Sequence, residues 1–239
     1  KIIVAASMSS YGEGSYKCQK CGEVRPHLRE DNKLLKKDFN VYCPNCGKVV
    51  IPIATREEAK QNSNSIYAIG KKEQEEMILT FGKAYGIPAV AMRYFNVYGE
   101  RQSLSNPYNG VAAIFMSRVK NGKPPVINED GQQSRDFVNV KDVTKANISA
   151  LESSRGDYQS FNVGTGNPIS IKRVAEIIIK LYGAKLKPEV TYRVRKLDVR
   201  HCYADISKIN KLLNWKPGIK FEDGIRSLVK WGVNEKAVD

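Results

Sequence analysis

The sequence predicts an α/β protein built on a mostly parallel sheet, and three observations carry that prediction. Short apolar runs rich in β-branched residues, as at 2–6 and 89–94, read as strands buried inside a sheet. Segments with apolar residues at helical spacing alternate with these runs along the chain. Residues 170–182 form the clearest amphipathic helix, opening on Ser170 as N-cap and closing near Gly183. A chain of 239 residues can bury a sizeable core, as one large domain or two small ones.

The elements follow in order. The strand at 2–6 ends in the polar turn Ser7-Met-Ser-Ser-Tyr-Gly12. A cysteine-bearing polar stretch comes next. From about 65 to 85 the pattern is helical, with Tyr67, Lys71, Met77, Ile78, Phe81 and Tyr85 at helical spacing, and Gly86-Ile-Pro88 stops it. A strand spans 89–94 and leads to Asn96. A helix is expected at 111–120, a short strand at 136–140, a helix at 143–151 and a strand at 160–163. Late helices are expected at 206–213 and 221–231. No internal repeat or low-complexity tract is present.

The chain is 41% apolar and 27% charged, ordinary for a globular protein. No run approaches the length of a membrane span, and residues 1–7 are too short for the core of a signal peptide. A cytoplasmic protein is expected. The formal charge of +14 favours anionic partners, but the basic residues are scattered. The densest patch is Arg193-Val-Arg-Lys196, followed by Arg200. Without a basic tail or an aromatic-interleaved pattern, a nucleic-acid function is disfavoured.

Four of the five cysteines pair as Cys18-Gln-Lys-Cys21 and Cys43-Pro-Asn-Cys46, each pair followed by glycine. Two such knuckles about twenty residues apart match a four-cysteine zinc ribbon. Two disulfides, a redox pair or an iron–sulfur cluster are the rivals, and the expected reducing compartment disfavours disulfides. Four sulfur ligands leave no open coordination position, so the ion is expected to be structural. The polar segment 23–42 could not build a core by itself, and metal binding would supply its folding energy. Cys202 is left over and reads as a partly buried free thiol.

Tyr67-Ala-Ile-Gly-Lys71 places a phenol and an ammonium one helical turn apart on one face. A cation beside a phenol favours the phenolate, and a free tyrosine titrates near pH ~10 and needs such help to act as a base near neutrality. The spacing alone is common. Its company is not: the Ser7 turn lies upstream and Arg93-Tyr-Phe-Asn-Val-Tyr-Gly99 downstream.

With Asp130-Gly-Gln-Gln-Ser-Arg-Asp-Phe-Val-Asn-Val-Lys-Asp142, Asn162-Val-Gly-Thr-Gly166 and Tyr203-Ala-Asp205, six motifs stand in one order. In that order the chain resembles the extended short-chain dehydrogenase/reductases, and among them the nucleotide-sugar 4-epimerases. The resemblance implies a partial Rossmann-type, doubly wound parallel sheet with a smaller α/β substrate domain and a zinc-ribbon insertion. It implies residues 1–99 for the NAD-binding part, interrupted by the ribbon at 18–47, and 100–239 mainly for the nucleotide sugar, with 136–165 returning to the first sheet. Tyr67 would be the base at the sugar 4-hydroxyl. Lys71 would hold the nicotinamide ribose, and Ser7 would bond the 4-oxygen. Asn96 would contact the diphosphate, Arg135 and Arg195 would clamp the phosphates, and Asp198 would lie near the nucleotide ribose. Arg93 and Asp136 are expected to hold the fold, Asn162 and Gly164 to shape a loop, and Ser9 and Ser10 to cap a turn. Residues 103–108 and 126–128 are expected to choose the sugar. A homodimer is implied, joined through helices that include the one carrying Tyr67. Related dehydratases carry an Asp-Glu pair after the catalytic hydroxyl; Met8 and Ser9 stand here, so epimerisation is favoured over dehydration.

The chain departs from the family in three ways. It lacks an opening strand and Gly-rich turn for the NAD pyrophosphate, and Val163-Gly-Thr-Gly166 is no substitute. A fragment of a longer protein, one subunit of a split enzyme, or a truncated form would each account for this, and the abrupt start within a strand favours a fragment. The ribbon lengthens the path from Ser7 to Tyr67 and lies beside the site. Leu197 stands where the family usually has glycine. A zinc-ribbon module that binds nucleotide sugar or nucleic acid without chemistry is the alternative to an enzyme, and a dehydratase or reductase on the same scaffold is a third reading. The joint presence of Ser7, Tyr67 and Lys71 favours the enzyme.

Overall fold

The apolar run after Lys1 pairs in parallel with the run at 89–94, Ile2 opposite Ala89 through Ser7 opposite Tyr94. The computed structural model describes residues 1–106 and 110–237. Strand β1 (Ile2–Ser7) leads into a 3-10 turn, Met8–Tyr11. Strands β2 (Ser15–Cys18) and β3 (Gly22–Val24), helix α1 (Asp31–Leu35) and strand β4 (Ile51–Ile53) make a small insertion. Helix α2 (Ile66–Tyr85) then leads to β5 (Ala89–Tyr94) and β6 (Asn96–Tyr98). Next come α3 (Val111–Lys120), β7 (Val126–Ile127), β8 (Ser134–Asn139), α4 (Val140–Glu152) and β9 (Gln159–Val163). The chain continues with β10 (Pro168–Ser170), α5 (Ile171–Leu181), β11 (Glu189–Val190), β12 (His201–Cys202), α6 (Ser207–Leu213) and α7 (Phe221–Gly232). Among the described residues no helix is long and apolar enough to cross a membrane.

The first sheet is parallel, in the order β1-β5-β9. Central β5 is buried along Ala89, Val90, Ala91, Met92 and Arg93. The sequence predicts burial for the first strand too, but β1 is an edge and only Ala6 is buried along it. Val90 and Met92 face α4 and α6, where Val143, Ala146, Ile209 and Trp215 complete a core. The alternate residues of β5 face α2. Gly82 lets that helix approach: a Cβ there would lie 2.6 Å from both the Ala89 Cβ and the Ile87 carbonyl oxygen. Helices on both faces make the sheet doubly wound. Local signals set the ends of α2. Ser65 accepts from the Ala68 amide at its start, and Gly86 takes the left-handed conformation (φ 65°) at its end.

A second sheet centres on β8, with β10 antiparallel and β12 and β6 parallel to it. Helices α3, α5 and α7 cover its core, built on Phe115, Met116, Ile178, Ile225 and Leu228. The expected return of 136–165 to the first sheet divides here. Strand β9 pairs with β5, whereas β8 belongs to the second sheet because β6 diverges immediately after β5 and pairs with it. Val140, expected in the strand, opens α4 instead, since the Asn139 side chain accepts from the Lys141 amide and caps the helix.

The insertion is a three-stranded antiparallel sheet in the order β3-β2-β4. It reaches beyond the cysteines at both ends. Its core is small: Tyr16, Val24, Val41 and Val50 around the thiols.

Candidate active site

The two knuckles fold as their glycines allow. Gly22 (φ 76°) and Gly47 (φ 69°) both take left-handed backbone that other residues adopt at a cost. All four sulfur atoms lie within 4.8 Å of one another, and Cys18 Sγ is 3.5 Å from Cys46 Sγ. Thiolates tetrahedral about zinc sit about 3.8 Å apart for bonds of ~2.3 Å, so the four donors fit such an ion. The Cys21 backbone amide holds the Cys18 thiol down at about 7, while sharing a hydrogen with Cys46 pushes Cys21 up to about 12. Cys202 is not partly exposed as expected. It is buried behind Tyr11 and Phe95, and burial pushes its thiol up to about 12.

Register places the catalytic candidates. Ser7 pairs with Tyr94 at the C-terminal ends of β1 and β5, two residues before Asn96. In open α/β sheets this is the end at which ligands bind. The Ser7 Oγ accepts from the Ser9 amide (3.2 Å) and the Ser9 hydroxyl (2.9 Å), so its own hydrogen is left for another acceptor. Helix α2 packs along β1 and the 3-10 turn. Tyr67 is 61% exposed in its first turn. Lys71, one turn on, donates from Nζ to the Ala5 carbonyl (2.9 Å) and to Gln74 Oε1 (3.1 Å). The ammonium is thereby anchored at the edge of β1, one helical turn after Tyr67.

A buried network supports this end of the sheet. Arg93 makes a forked pair with Glu75 of α2 and donates to the Tyr11 hydroxyl (2.7 Å) and the Glu57 carbonyl (2.8 Å). Tyr11 donates to Asn162 Oδ1 at 2.7 Å, and burial pushes its phenol well above the usual range, so it stays protonated. Arg93 thus ties together β5, α2, the Ser7 turn and β9. Asp136, fully buried, accepts from the Thr165, Gly166 and Ala204 amides and the Thr165 hydroxyl. The glycine loop at 164–166 therefore clasps a carboxylate of the fold. Nothing local in the sequence distinguishes buried Glu75 from its exposed neighbours Glu73 and Glu76.

Asn96, Arg135, Arg195 and Asp198 meet at a cavity of about 260 Å³, with Val126, Asn128, Gln133 and Phe115 in its wall. Asn96 Oδ1 and Gln133 Oε1 are buried acceptors without a partner among the described residues. Such groups are costly unless a ligand satisfies them. Arg135 is engaged by the protein itself: it bonds Asp198 (2.9 Å) and the Val199 and Arg200 carbonyls. Arg195 is exposed at the rim. Within the basic patch Arg200 is no surface charge but a buried fork on Asp130, also bonded to Glu129. Leu197 adopts φ 61°, with its carbonyl held by Asn64 Nδ2 at 2.7 Å. The position calls for the left-handed conformation that glycine adopts freely, and leucine adopts it here at a cost of about 1–2 kcal/mol. Of the residues expected to choose the sugar, Val126 and Asn128 line the cavity, while Pro107 and Tyr108 lie outside the described residues.

His201 sits beside this cavity, its Nδ1 2.8 Å from the Ser134 hydroxyl. Burial, and then Arg200, Arg135 and Arg29, hold its pKa down from 6.5 to about 3. In that window the unfolded chain binds a proton that the folded chain refuses, so stability should fall as pH drops from 6.5 toward 3, by at most ~1.4 kcal/mol per pH unit. Denaturant titrations at several pH values should show that slope, and His201→Gln should flatten it. An unchanged slope in the variant would assign the acid sensitivity to other groups.

Comparison with known proteins places the chain in a family. Residues 47–228 match the family described as GDP-mannose 4,6 dehydratase. The chain belongs to that family. It is therefore an extended short-chain dehydrogenase/reductase. A dTDP-L-rhamnose 4-epimerase from Burkholderia thailandensis is 32% identical over 234 residues, covering 98% of this chain and 63% of that protein. A UDP-N-acetylglucosamine 4-epimerase from Methanobrevibacter ruminantium, solved with UDP-N-acetylmuramic acid, superposes with TM-score 0.74 at 33% identity, covering 96% of this chain and 61% of that one. The Thermus thermophilus UDP-glucose 4-epimerase, solved with NAD, gives TM-score 0.71 at 26% identity, with 96% and 62% covered. The chain thus spans about three fifths of the length of these family relatives.

Proposed function

We propose that this chain carries the catalytic and sugar-nucleotide-binding part of an NAD-dependent epimerase acting at C4 of a nucleoside diphosphate sugar, in the cytoplasm. One observation carries the reading. The β1–β5 register brings Ser7 within two residues of Asn96, while Lys71, one helical turn after exposed Tyr67, is anchored on β1. The 4-epimerases among its relatives support the position of the reaction.

In this reading Tyr67 takes the proton of the sugar 4-hydroxyl as that carbon is oxidised, and returns it when the carbon is reduced. Lys71 binds the nicotinamide ribose. Ser7 donates its free hydrogen to the 4-oxygen. Asn96, with its unpartnered acceptor, meets the diphosphate end. Arg195 at the rim and Arg135 hold phosphate oxygens, Arg135 also ordering Asp198 near the nucleotide ribose. NAD, when bound, supplies the hydride acceptor. Tyr67 and Lys71 fit its nicotinamide end, but the 239 residues contain no opening Gly-rich turn for its pyrophosphate. Among the described residues no strand pairs with the edge of β1 opposite β5, which leaves room there for further strands. Met8 and Ser9 offer no acid or base, so dehydration is not proposed. Interconversion of C4 epimers of UDP- or dTDP-hexoses, followed by NMR, and NAD released on denaturation test the assignment. A protein that binds these nucleotides yet never epimerises them would leave only a binding role.

We also propose a structural zinc on Cys18, Cys21, Cys43 and Cys46, supported by the clustered thiols, and a homodimer through α2. The helix presents Met77 (60% exposed), Phe81 (43%) and Tyr85 (70%) as one apolar stripe at i, i+4, i+8. Phe81→Glu should shift sedimentation from dimer to monomer without lowering the melting temperature by more than a few degrees. A wild-type monomer would remove the dimer from this reading.

A further inference from the structure

The cysteine-bearing insertion sends side chains into the sugar-nucleotide lobe, far along the chain. Arg29, its side chain 4% exposed, crosses to a residue 100 positions away. It forks onto both Glu129 oxygens, at 2.7 and 2.9 Å, and donates to the Asp198 carbonyl at 3.1 Å. Glu129 is fully buried and shares its carboxylate with Arg200. From the same insertion Phe39, buried, lies 5.7 Å beneath the Arg200 guanidinium, and the Lys37 ammonium stands 4.9 Å over the Tyr192 ring.

These contacts fall where the backbone is strained. Glu129 (φ 52°) and Tyr192 (φ 55°) are non-glycine residues in the left-handed region. Such conformations persist only where the surroundings enforce them. The two segments are bonded to each other, Glu129 N to the Arg193 carbonyl and Tyr192 N to the Glu129 carbonyl. Asn128 on one side and Arg195 and Asp198 on the other line the cavity. Asp198 is therefore gripped twice, by Arg135 on its carboxylate and by Arg29 on its carbonyl.

We propose that Arg29 is a positioning residue for the sugar-nucleotide site, and that the insertion acts as a brace setting the 192–200 loop through Arg29, Lys37 and Phe39. The proposal rests on the functional reading above. Arg29 lies behind Glu129 and orders the groups that touch ligand. Losing it should weaken bound substrate and transition state alike, which raises KM and spares kcat.

Arg29→Ala should weaken UDP or dTDP binding, measured by calorimetry, by about tenfold, the coupling expected inside one hydrogen-bonded network. The KM for the nucleotide sugar should rise by the same factor with kcat within about twofold. Arg29→Lys, which keeps the charge but not the fork, should recover part of the loss. Amides 129 and 192–199 should exchange faster in Arg29→Ala while metal content stays at the wild-type value. If Arg29→Ala does not fold, Arg29→Gln carries the same expectations. Wild-type affinity together with wild-type exchange in the variant would overturn the proposal. A wild-type chain that binds neither UDP nor dTDP would sink the functional reading instead, and the exchange measurement, which needs no ligand, would still decide the role of Arg29.

Discussion

Removing one oxygen atom, in Tyr67→Phe, should cut turnover by about 10²–10⁴-fold, the usual contribution of a positioned proton-transfer group. Nucleotide affinity should stay within about twofold, because the cavity proposed for the nucleotide is lined by Asn96, Arg135, Arg195 and Asp198 and does not include Tyr67. Stability should not change either. The Tyr67 ring is 61% exposed, so losing its hydroxyl opens no cavity and orphans no buried partner. Tyr11, in the same region, is the contrasting case: its hydroxyl links Arg93 to Asn162 in the buried network, and Tyr11→Phe should cost stability rather than chemistry. Stopped-flow or NMR assays of epimerisation, with calorimetry for binding, separate the two. A Tyr67→Phe protein with full turnover would end the catalytic assignment.

The second large effect is expected on metal removal. The insertion core is four apolar side chains around the thiols, too little to hold three short strands without a cross-link. Structural zinc in domains of this size supplies an apparent ~10–16 kcal/mol. Metal analysis should find about one zinc per chain. Cys21→Ser with Cys46→Ser, or a strong chelator, should remove it and expose the amides of β2, β3 and β4 to rapid exchange. The β1-β5-β9 sheet should stay protected, since its own core lies between Val90, Met92, Ile209 and Trp215. Nucleotide affinity should fall with the metal, because Arg29 and Phe39 lose their support. A metal-free protein with native exchange across the insertion would defeat the zinc assignment.

Much of the fold was legible because its signals are local. Ser65 and Gly86 bound α2, Ser170 caps α5, and the strand at 89–94 falls where its apolar run does. The knuckle glycines, Gly22 and Gly47, took the backbone that their place after each cysteine pair implies. Edge and centre were not legible. The runs of β1 and β5 look alike in sequence, yet one lines an open edge and the other the middle of the sheet. The strand at β8 changed sheet because β6, three residues long, turned away after β5. In the site, Asn96, Arg135, Arg195 and Asp198 line one cavity, but the supports of the candidate residues were invisible. Only the fold pairs and buries Glu75, Glu129 and Arg29.

By itself the sequence determined what depends on spacing along the chain: helix limits, the four thiols, the phenol and ammonium one turn apart. The tertiary structure decided what depends on distance across it: which charges are buried in pairs, which strand is left as an edge, and that Arg29 of an insertion near the start reaches the Asp198 carbonyl, 169 residues along. The reason is physical. A helical turn or a metal knuckle is closed by neighbours in sequence, whereas the burial of an ion pair is a property of everything packed around it.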